Sequence, residues 1–247
     1  MEFIDVHCHI DCMKNIEKII KNAEKNKVNT IINNGINIKT NRKTLELSKK
    51  YPEIKPALGI YPIEALKLSE KEIKNEIKFI EKNKNKIIAI GEVGIDLKWN
   101  KEFEKQKIIF EKFIDLSKKI NKPLIVHARS AEKEVIKILK EKNCKKIVMH
   151  CFNGNLRLVE EIIKQNWFLS IPANITFSEH FQKVVEKTPI ENLLCETDSP
   201  YLHPIKGKRN NEPMNVIESY KKIAEIKKLS LKQIQEKIKN NFKKLFR

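Results

Sequence analysis

Two histidines near the start of the chain, His7 and His9, are the first residues whose types and spacing suggest chemistry. They follow the largely apolar run Phe3–Val6, which is typical of a short buried strand. Residues i and i+2 of a strand point to the same side, so both imidazoles can reach one metal ion. A His-x-His pair alone is weak evidence, and a metal site requires further ligands elsewhere in the chain.

Four other residues of ligand type end later apolar runs. Glu92 lies in Gly-Glu-Val-Gly-Ile-Asp, and Asp198 lies in Glu-Thr-Asp-Ser-Pro. His127 lies in Ile-Val-His-Ala-Arg, and His150 lies in Met-His-Cys-Phe. Together with the first pair they make four histidines and two carboxylates, which exceeds the three protein ligands of a catalytic zinc ion. Such a set suits two divalent ions that share a bridging carboxylate.

Glu92 is the expected bridge, because its strand lies between the strand of the first histidine pair and the strands of the other two histidines. A carbamylated lysine serves as the bridge in some other binuclear barrels. That variant is disfavoured here, since no lysine occurs from Ile87 to Leu97. The sequence therefore predicts a binuclear centre with Glu92 as the shared ligand.

These residues need a scaffold that brings distant parts of the chain together. Apolar runs and amphipathic helical patterns alternate along the whole chain. The predicted strands are 3–6, 28–33, 54–59, 87–92, 123–127, 146–150, 167–171 and 192–197. The predicted helices lie near 14–26, 40–50, 69–82, 101–120, 131–142, 155–165, 178–187, 214–228 and 230–242.

This alternation predicts an α/β fold: a single (β/α)₈ TIM-barrel domain over residues 1–247, with an extra C-terminal helix. A doubly wound sheet is disfavoured, because the chain has neither a Gly-x-Gly-x-x-Gly turn nor a P-loop. Catalytic residues of such barrels lie at the C-terminal ends of the strands. The candidate ligands occupy those ends, so the fold prediction and the site prediction support each other.

The amino-acid composition excludes fewer classes of function than the motifs do. The net charge of +18 is compatible with nucleic-acid binding, but only five of the 50 basic residues are arginine. Lysines spread over every predicted helix are equally expected from coding bias or heat adaptation. Five scattered cysteines and the lack of a leader or long apolar run favour a cytoplasmic protein without a membrane anchor. Nothing indicates a protein partner, and we expect a monomer.

The motifs together resemble those of the TatD family of metal-dependent deoxyribonucleases, within the amidohydrolase-like barrels. The resemblance runs from Phe3 to about Pro213 and includes Asp-x-His-x-His, Gly-Glu-x-Gly-Ile-Asp, His-Cys-Phe-Asn-Gly and Glu-Thr-Asp-Ser-Pro-Tyr-Leu. It implies two divalent ions (Zn, Mn or Mg), one held by His7, His9, Glu92 and Asp198 and the other by Glu92, His127 and His150. It also implies that Asp198 positions or deprotonates the attacking water, and that DNA is digested 3′→5′ from unpaired ends.

Residues outside the ligand set are candidate substrate contacts. Arg129, two residues beyond a predicted ligand, is the candidate phosphate clamp. Arg209, after the eighth strand, is a second candidate, with a solvated loop charge as the alternative. Tyr61 and Phe152 are candidates for stacking on an unpaired base, although a core position is the commoner role for such a phenylalanine. Family members often carry histidine where this chain has Tyr61.

Two acidic residues are candidates for supporting the ligand histidines. Glu196 shares a strand face with Asp198 and can accept a hydrogen bond from a ligand imidazole. Asp96 can do the same or merely cap a loop.

Two other functions remain open from the sequence. An ester or amide hydrolase, such as a D-aminoacyl-tRNA deacylase or a small-molecule amidohydrolase, can use the same metal site, because neither fold nor site class fixes the substrate. A non-catalytic nucleic-acid-binding protein would explain the charge. It would not explain a ligand set richer in histidine than a closed structural zinc site.

Overall fold

A computed structural model describes residues 2–246, so Met1 and Arg247, the two ends of the predicted 1–247 domain, lie outside the described residues. Eight strands form one parallel sheet whose strand order follows the chain. The strands are β1 Phe3–Cys8, β2 Val28–Asn34, β3 Ile54–Leu58, β4 Ala89–Asp96, β5 Leu124–Arg129, β6 Ile147–His150, β7 Phe168–Ile171 and β8 Leu193–Cys195. The α-helices described are α1 Ile16–Lys25, α2 Ile38–Lys50, α3 Pro62–Ala65, α4 Glu70–Lys82, α5 Phe103–Ile120, α6 Glu132–Glu141, α7 Leu156–Lys164, α8 Glu179–Lys187, α9 Val216–Lys227 and α10 Leu231–Phe246.

The predicted TIM barrel is confirmed, because the eight parallel strands alternate with helices and curve into a nearly closed barrel. Both α9 and α10 follow β8, so the extra C-terminal helix is also confirmed. Within residues 2–246, no helix is both long enough and apolar enough to cross a membrane.

Reciprocal capping boxes precede α4 and α10. Before α4, the hydroxyl of Ser69 accepts the N–H of Glu72 at 3.3 Å, and the Glu72 carboxylate accepts the N–H of Ser69 at 2.8 Å. Ser230 and Gln233 make the same reciprocal pair before α10, at 3.3 and 2.9 Å. Each pair satisfies two N–H groups that would otherwise lack partners at a helix start. Both pairs have the Ser-x-x-Glu/Gln spacing that is typical of a capping box and is readable from the sequence.

The strands are buried on both faces, as parallel strands in a barrel must be. Every residue of β1 and of β4 is buried. The helices cover the outer face with apolar side chains such as Ile73 and Ile80 of α4. The polar residues inside this core therefore need partners.

The side chain of Asp5 joins β1 to the segment just after β8, which ends at Cys195 and not at the predicted residue 197. Its Oδ1 accepts the N–H of Thr197 at 2.9 Å, and its Oδ2 accepts the Thr197 hydroxyl at 2.6 Å. One residue further on, the N–H of Asp198 donates to the carbonyl of His7 at 2.9 Å. The first residue of the Asp-x-His-x-His motif thus holds Asp198 beside the histidine pair.

The predicted bounds of the fourth strand are wrong, since β4 runs past residue 92 to Asp96. Glu92 therefore lies inside the strand and not at its end. Between Ile90 and Val93, β4 has two residues where β5 has one, which is a β-bulge. A bulge bends the strand and redirects the side chains beside it. Here it explains how a residue in mid-strand reaches the mouth of the barrel.

Candidate metal centre

The structure brings all six predicted ligand side chains together at the carboxyl ends of the strands. They come from β1 and the residue that follows it, from β4, β5 and β6, and from the segment after β8, and most are almost fully buried. Three overlapping groups of their donor atoms are close enough to hold a metal ion, one of them with Glu196 as an added member. The six residues are His7, His9, Glu92, His127, His150 and Asp198.

The first set of donors surrounds the N-terminal histidine pair. His7 Nε2 and His9 Nε2 lie 3.2 Å apart. Oε2 of Glu92 lies 3.6 and 3.4 Å from these two nitrogens, and Oδ1 of Asp198 lies 3.6 and 3.5 Å from them. Ligands about 2.05 Å from a tetrahedral ion lie roughly 3.3 Å apart. The spacing of the His7, His9 and Asp198 atoms therefore fits a divalent ion, and Glu92 Oε2 lies at similar distances from both nitrogens.

The second set uses the other oxygen of Glu92. Its Oε1 lies 2.7 Å from His127 Nδ1 and 2.9 Å from His150 Nε2, and these two nitrogens are 3.1 Å apart. Cis ligands about 2.1 Å from an octahedral ion are separated by roughly 3.0 Å. These three atoms can thus form one face of a second coordination sphere.

Three of the four imidazoles have an oxygen behind them that leaves one nitrogen free for a metal. The carbonyl of Asn34 lies 2.9 Å from His9 Nδ1, and Oδ2 of Asp96 lies 3.1 Å from His127 Nε2. Oε1 of Glu196 is 3.7 Å from His150 Nδ1, an ion-pair distance that is too long for a hydrogen bond. Hydrogen-bonded oxygens of this kind fix the tautomer and orientation of His9 and His127, whereas Glu196 only lies near His150.

Two effects set the pKa values at the mouth of the barrel: burial, which disfavours charge, and neighbouring opposite charges, which favour it. Burial alone would raise the pKa of Glu92, but the charge of His150 and hydrogen bonds from His127 and His150 hold it well below its usual range. Burial lowers the pKa of His7 to about 4, with the charge of His150 adding to the effect. For His9, the hydrogen bond to Asp198 and the charge of Glu92 outweigh burial and raise the pKa to about 9. Without a metal, the carboxylates are thus balanced by protons on the imidazoles.

These observations fit a metal centre better than a self-contained polar core. His7 Nδ1, His150 Nδ1 and Glu196 Oε1 are buried and have no hydrogen-bond partner among the described residues. Buried polar atoms without partners are costly, and proteins keep them mainly at functional sites. Imidazole and carboxylate donors in this number are the ligands that Zn and Mn prefer.

Local backbone geometry supports the same site. Asp198 has φ of 52°, in the left-handed region that non-glycine residues rarely adopt. Gly94 has φ of 152°, and a side chain there would overlap the carbonyl oxygen of His127. Only glycine lets β4 approach β5 this closely beside a ligand. Strained positions of this kind cluster at active sites.

The candidate substrate contacts fall into three groups. Arg129 and Tyr61 line a cavity of ≈ 470 Å³ together with all the candidate ligands except His7. Arg209 lines a separate cavity in the loop after β8, with His203 and Lys208, so the structure does not bring it to the ligands. Phe152 is only 2% exposed and packs in the core, so the stacking role considered for it is wrong.

Asp96 performs both of the roles considered for it. Its Oδ2 faces His127 and accepts the hydroxyl of Tyr61 at 2.5 Å, while its Oδ1 accepts the N–H groups of Lys98 and Trp99 at 2.9 and 3.1 Å. Tyr61 is therefore anchored on a carboxylate that also faces His127, a candidate ligand.

Sequence reasoning missed several residues that shape the site. Asn33 Oδ1 accepts the N–H of Ile10, and its Nδ2 donates to Asp11 at 2.8 Å, which fixes the turn after the histidine pair. Asn34 supplies the carbonyl behind His9. An asparagine at the end of a buried strand is the signal that could have identified Asn33, since buried amides need defined partners. The backbone carbonyl of Asn34 leaves no such signal in the sequence.

Comparison with known proteins agrees with the geometry. A family model described as TatD-related DNase matches residues 4–247. The chain is 38% identical to an uncharacterized metal-dependent hydrolase of Methanocaldococcus jannaschii, over 100% of this chain and 98% of the relative. It is 31% identical to the human deoxyribonuclease TATDN3, over 98% and 94% of the two chains. The crystal structure of YjjV, a TatD homologue of Escherichia coli, superposes with a TM-score of 0.92 at 26% identity, covering 99% and 97%.

Family match, relatives and fold lead to one assignment. The matched region contains every candidate ligand, and the aligned relatives are covered almost from end to end. The chain therefore belongs to the family of TatD-related DNases and is a hydrolase of that family.

Proposed function

We propose that the protein is a metal-dependent phosphodiester hydrolase that acts on DNA with two divalent ions. The observation that carries the proposal is the division of Glu92 between two ligand sets. Its Oε2 faces His7 and His9, whereas its Oε1 faces His127 and His150. A carboxylate that directs one oxygen to each of two donor sets is what a shared ligand of two ions requires.

Each ion has a defined set of residues in this proposal. One set is His7, His9, Glu92 and Asp198, and the other is Glu92, His127 and His150. When bound, the ions would lower the pKa of a water and neutralise charge on the phosphoryl oxygens. The donors suit Zn or Mn by their imidazoles and Mn or Mg by their carboxylates, so all three metals belong in the test. All the ligands come from one chain, so a single-domain monomer suffices.

Two side chains have direct roles beyond ligation. Asp198 lines the cavity, and hydrogen bonding from His9 with the charge of His7 outweighs burial and lowers its pKa. It is therefore an unprotonated carboxylate that can position the attacking water and accept its proton. Arg129 lines the same cavity, where its guanidinium can donate two hydrogen bonds to a phosphate.

DNA with unpaired ends is the proposed substrate. The family description and the human relative are those of deoxyribonucleases. The cavity of ≈ 470 Å³ has the size of a small-ligand pocket, which admits the end of one strand rather than the side of a duplex. The 3′→5′ direction rests on the family resemblance of the motifs.

The test is digestion of a 5′-labelled single-stranded oligonucleotide with Mn²⁺, Mg²⁺ or Zn²⁺. We expect a ladder of products shortened from the 3′ end, abolished by a chelator and by Asp198→Asn. Asp115→Asn, a change of the same kind on the outer face of α5, is the matched control and should leave the ladder unchanged. An absence of chelator-sensitive cleavage with every metal would overturn the proposal. Turnover of aminoacyl or simple esters in parallel reactions would then favour the ester-hydrolase alternative.

A further inference from the structure

Two large aromatic side chains at the mouth of the barrel are exposed. Trp99 is 65% exposed and Tyr201 is 60% exposed, and both line the cavity that contains the ligands. Aromatic rings bury large areas and contribute most when they are covered. Two uncovered rings on one cavity therefore indicate a ligand with flat apolar faces.

The turn that carries Trp99 is fixed by hydrogen bonds, although its ring is free. Oδ1 of Asp96 accepts the Trp99 N–H at 3.1 Å. The amide of Gln106 accepts the Asp96 N–H at 2.8 Å and donates to the Asn100 carbonyl at 3.1 Å. These contacts hold the backbone from residue 96 to residue 100 before any ligand arrives. A ring on a pre-ordered turn binds with little further loss of conformational freedom.

Positive charge lies beside the Trp99 ring. The guanidinium carbon of Arg129 is 5.9 Å from the ring centroid, and the ammonium of Lys98 is 5.5 Å from it. Arg129 also lines the cavity beside His127. An aromatic face next to an arginine is the combination that binds a base and its adjoining phosphate in single-stranded nucleic acids.

Tyr201 adds a second aromatic ring, and it lies on the segment after β8. Its N–H donates to the Asp198 carbonyl at 2.9 Å, and its ring centroid lies 6.4 Å from that of His9 with an interplanar angle of 66°. One ring is therefore attached to the β4 and β5 side of the mouth, and the other to the segment after β8. A DNA strand that enters the cavity therefore meets an aromatic ring on each of these two sides.

We infer that Trp99 and Tyr201 form a nucleobase-binding subsite, on which unpaired bases of the substrate strand stack while Arg129 binds the adjoining phosphate. The inference rests on the proposed nuclease function and specifies how that activity selects its substrate. Bases in a duplex are stacked on each other and cannot offer both faces to these rings. The subsite therefore selects unpaired nucleotides by stacking, independently of their sequence.

The distribution of tryptophan permits a direct binding test. The chain has two tryptophans, and the other, Trp167, is fully buried and donates its indole N–H to the Cys144 carbonyl at 3.0 Å. Intrinsic fluorescence of the metal-loaded protein is titrated with a short oligothymidylate whose phosphorothioate linkages resist hydrolysis. We expect saturable quenching in the wild type and in Trp167→Phe, because the signal comes from Trp99.

Affinity measurements with a labelled strand separate stacking from other effects. Trp99→Ala should weaken binding of the oligothymidylate by about 5- to 150-fold. Its affinity for an abasic strand of equal length should match that of the wild type. Ile108→Ala, an exposed apolar side chain on α5, is the control and should bind both strands normally.

The outcomes separate this inference from the nuclease proposal. Equal losses for the abasic and base-carrying strands in Trp99→Ala, or no quenching of the wild type, would overturn the subsite even if DNA is cleaved. Quenching and selective loss without any cleavage would leave the subsite standing and remove the nuclease proposal.

Discussion

Glu76 and Glu92 are almost completely buried glutamates whose surroundings differ in one decisive respect. Glu76 of α4 is 1% exposed, and both of its oxygens accept hydrogen bonds from the guanidinium of Arg42 at 2.7 Å, with Asn41 adding one at 2.8 Å. Glu92 is 3% exposed, and four imidazole nitrogens surround it at 2.7–3.6 Å. A guanidinium is always charged, whereas an imidazole is charged only when protonated.

The difference shows how a structural carboxylate can be distinguished from a functional one. The charge of Glu76 is balanced by a cation that belongs to the fold. The charge of Glu92 is balanced by protons that a metal ion can replace, because the same nitrogens are metal ligands once they are deprotonated. Burial alone therefore does not distinguish a structural carboxylate from a functional one. The type of neighbouring cation does.

The largest expected effect is on catalysis when each glutamate is made neutral. Glu92→Gln should lower kcat/KM on a single-stranded oligonucleotide by at least about 10³-fold, because the shared ligand loses its charge and several kcal/mol of stabilisation of the transition state. Glu76→Gln is the matched control. It should keep kcat/KM within about threefold and lose about 2 kcal/mol of unfolding free energy, since Arg42 loses its charged partner. Comparable losses of activity in both variants would remove the distinction.

Removal of the metal should lower the unfolding free energy only where Glu92 is intact. A divalent ion at about 1,000 times its Kd raises the unfolding free energy of the wild type by about 4 kcal/mol. For a chain of this length that corresponds to roughly 8–16 °C in Tm, lost on adding a chelator. Glu76→Gln should show the full shift and Glu92→Gln only a small part of it, by calorimetry with and without chelator. A full shift in Glu92→Gln would mean that the ion binds elsewhere.

Glu92 was identifiable from the sequence and Glu76 was not, for a physical reason. The barrel rule places chemistry at strand ends, so a carboxylate after the fourth apolar run is conspicuous. Glu76 lies on an amphipathic helix rich in lysine and glutamate, and its partner Arg42 is 34 residues away on α2. No local pattern pairs two residues at that separation on different helices.

The same reasoning explains what else the sequence could supply. Strand and helix order, both capping boxes and all six candidate ligands followed from local patterns. The bulge in β4, the bond from Asp5 to Thr197 and the exposure of Trp99 depend on how separate parts of the chain are joined. Those features require three-dimensional contacts that periodicity does not encode.

An intermediate loss of metal affinity is expected when a side chain that contacts a candidate ligand imidazole is changed. Among the described residues, Glu76 has no imidazole neighbour of this kind. Asp96→Asn keeps an oxygen for the turn but can present an amide N–H to His127 Nε2, where the wild type presents a carboxylate oxygen. The expected loss of metal affinity is about 10- to 100-fold by titration calorimetry. Tyr61→Phe removes only the hydroxyl that donates to the same carboxylate, and the loss should stay within a few-fold. An unchanged Kd in Asp96→Asn would show that His127 needs no such support.

The smallest effect is expected when Arg42, the permanently charged partner of Glu76, is replaced by lysine. Arg42→Lys keeps the charge beside Glu76 but replaces a two-pronged hydrogen bond with a single ammonium, and it removes the guanidinium that lies 3.2 Å from the Phe79 ring centroid. The unfolding free energy should fall by about 1 kcal/mol in a denaturant titration. Metal affinity and kcat/KM should not change.

This last variant also tests whether the two glutamates are independent. Asn41 donates to Glu76 and to the Gly59 carbonyl at 2.9 Å, and its Oδ1 accepts the Gly59 N–H at 3.2 Å. A side chain at Gly59 would lie 2.6 Å from the carbonyl oxygen of Glu92, so the two regions meet through one amide and one glycine. If Arg42→Lys lowers metal affinity, this contact transmits strain, and the structural pair helps to position the shared ligand. If only stability falls, the permanent ion pair and the exchangeable one act as separate parts of the barrel.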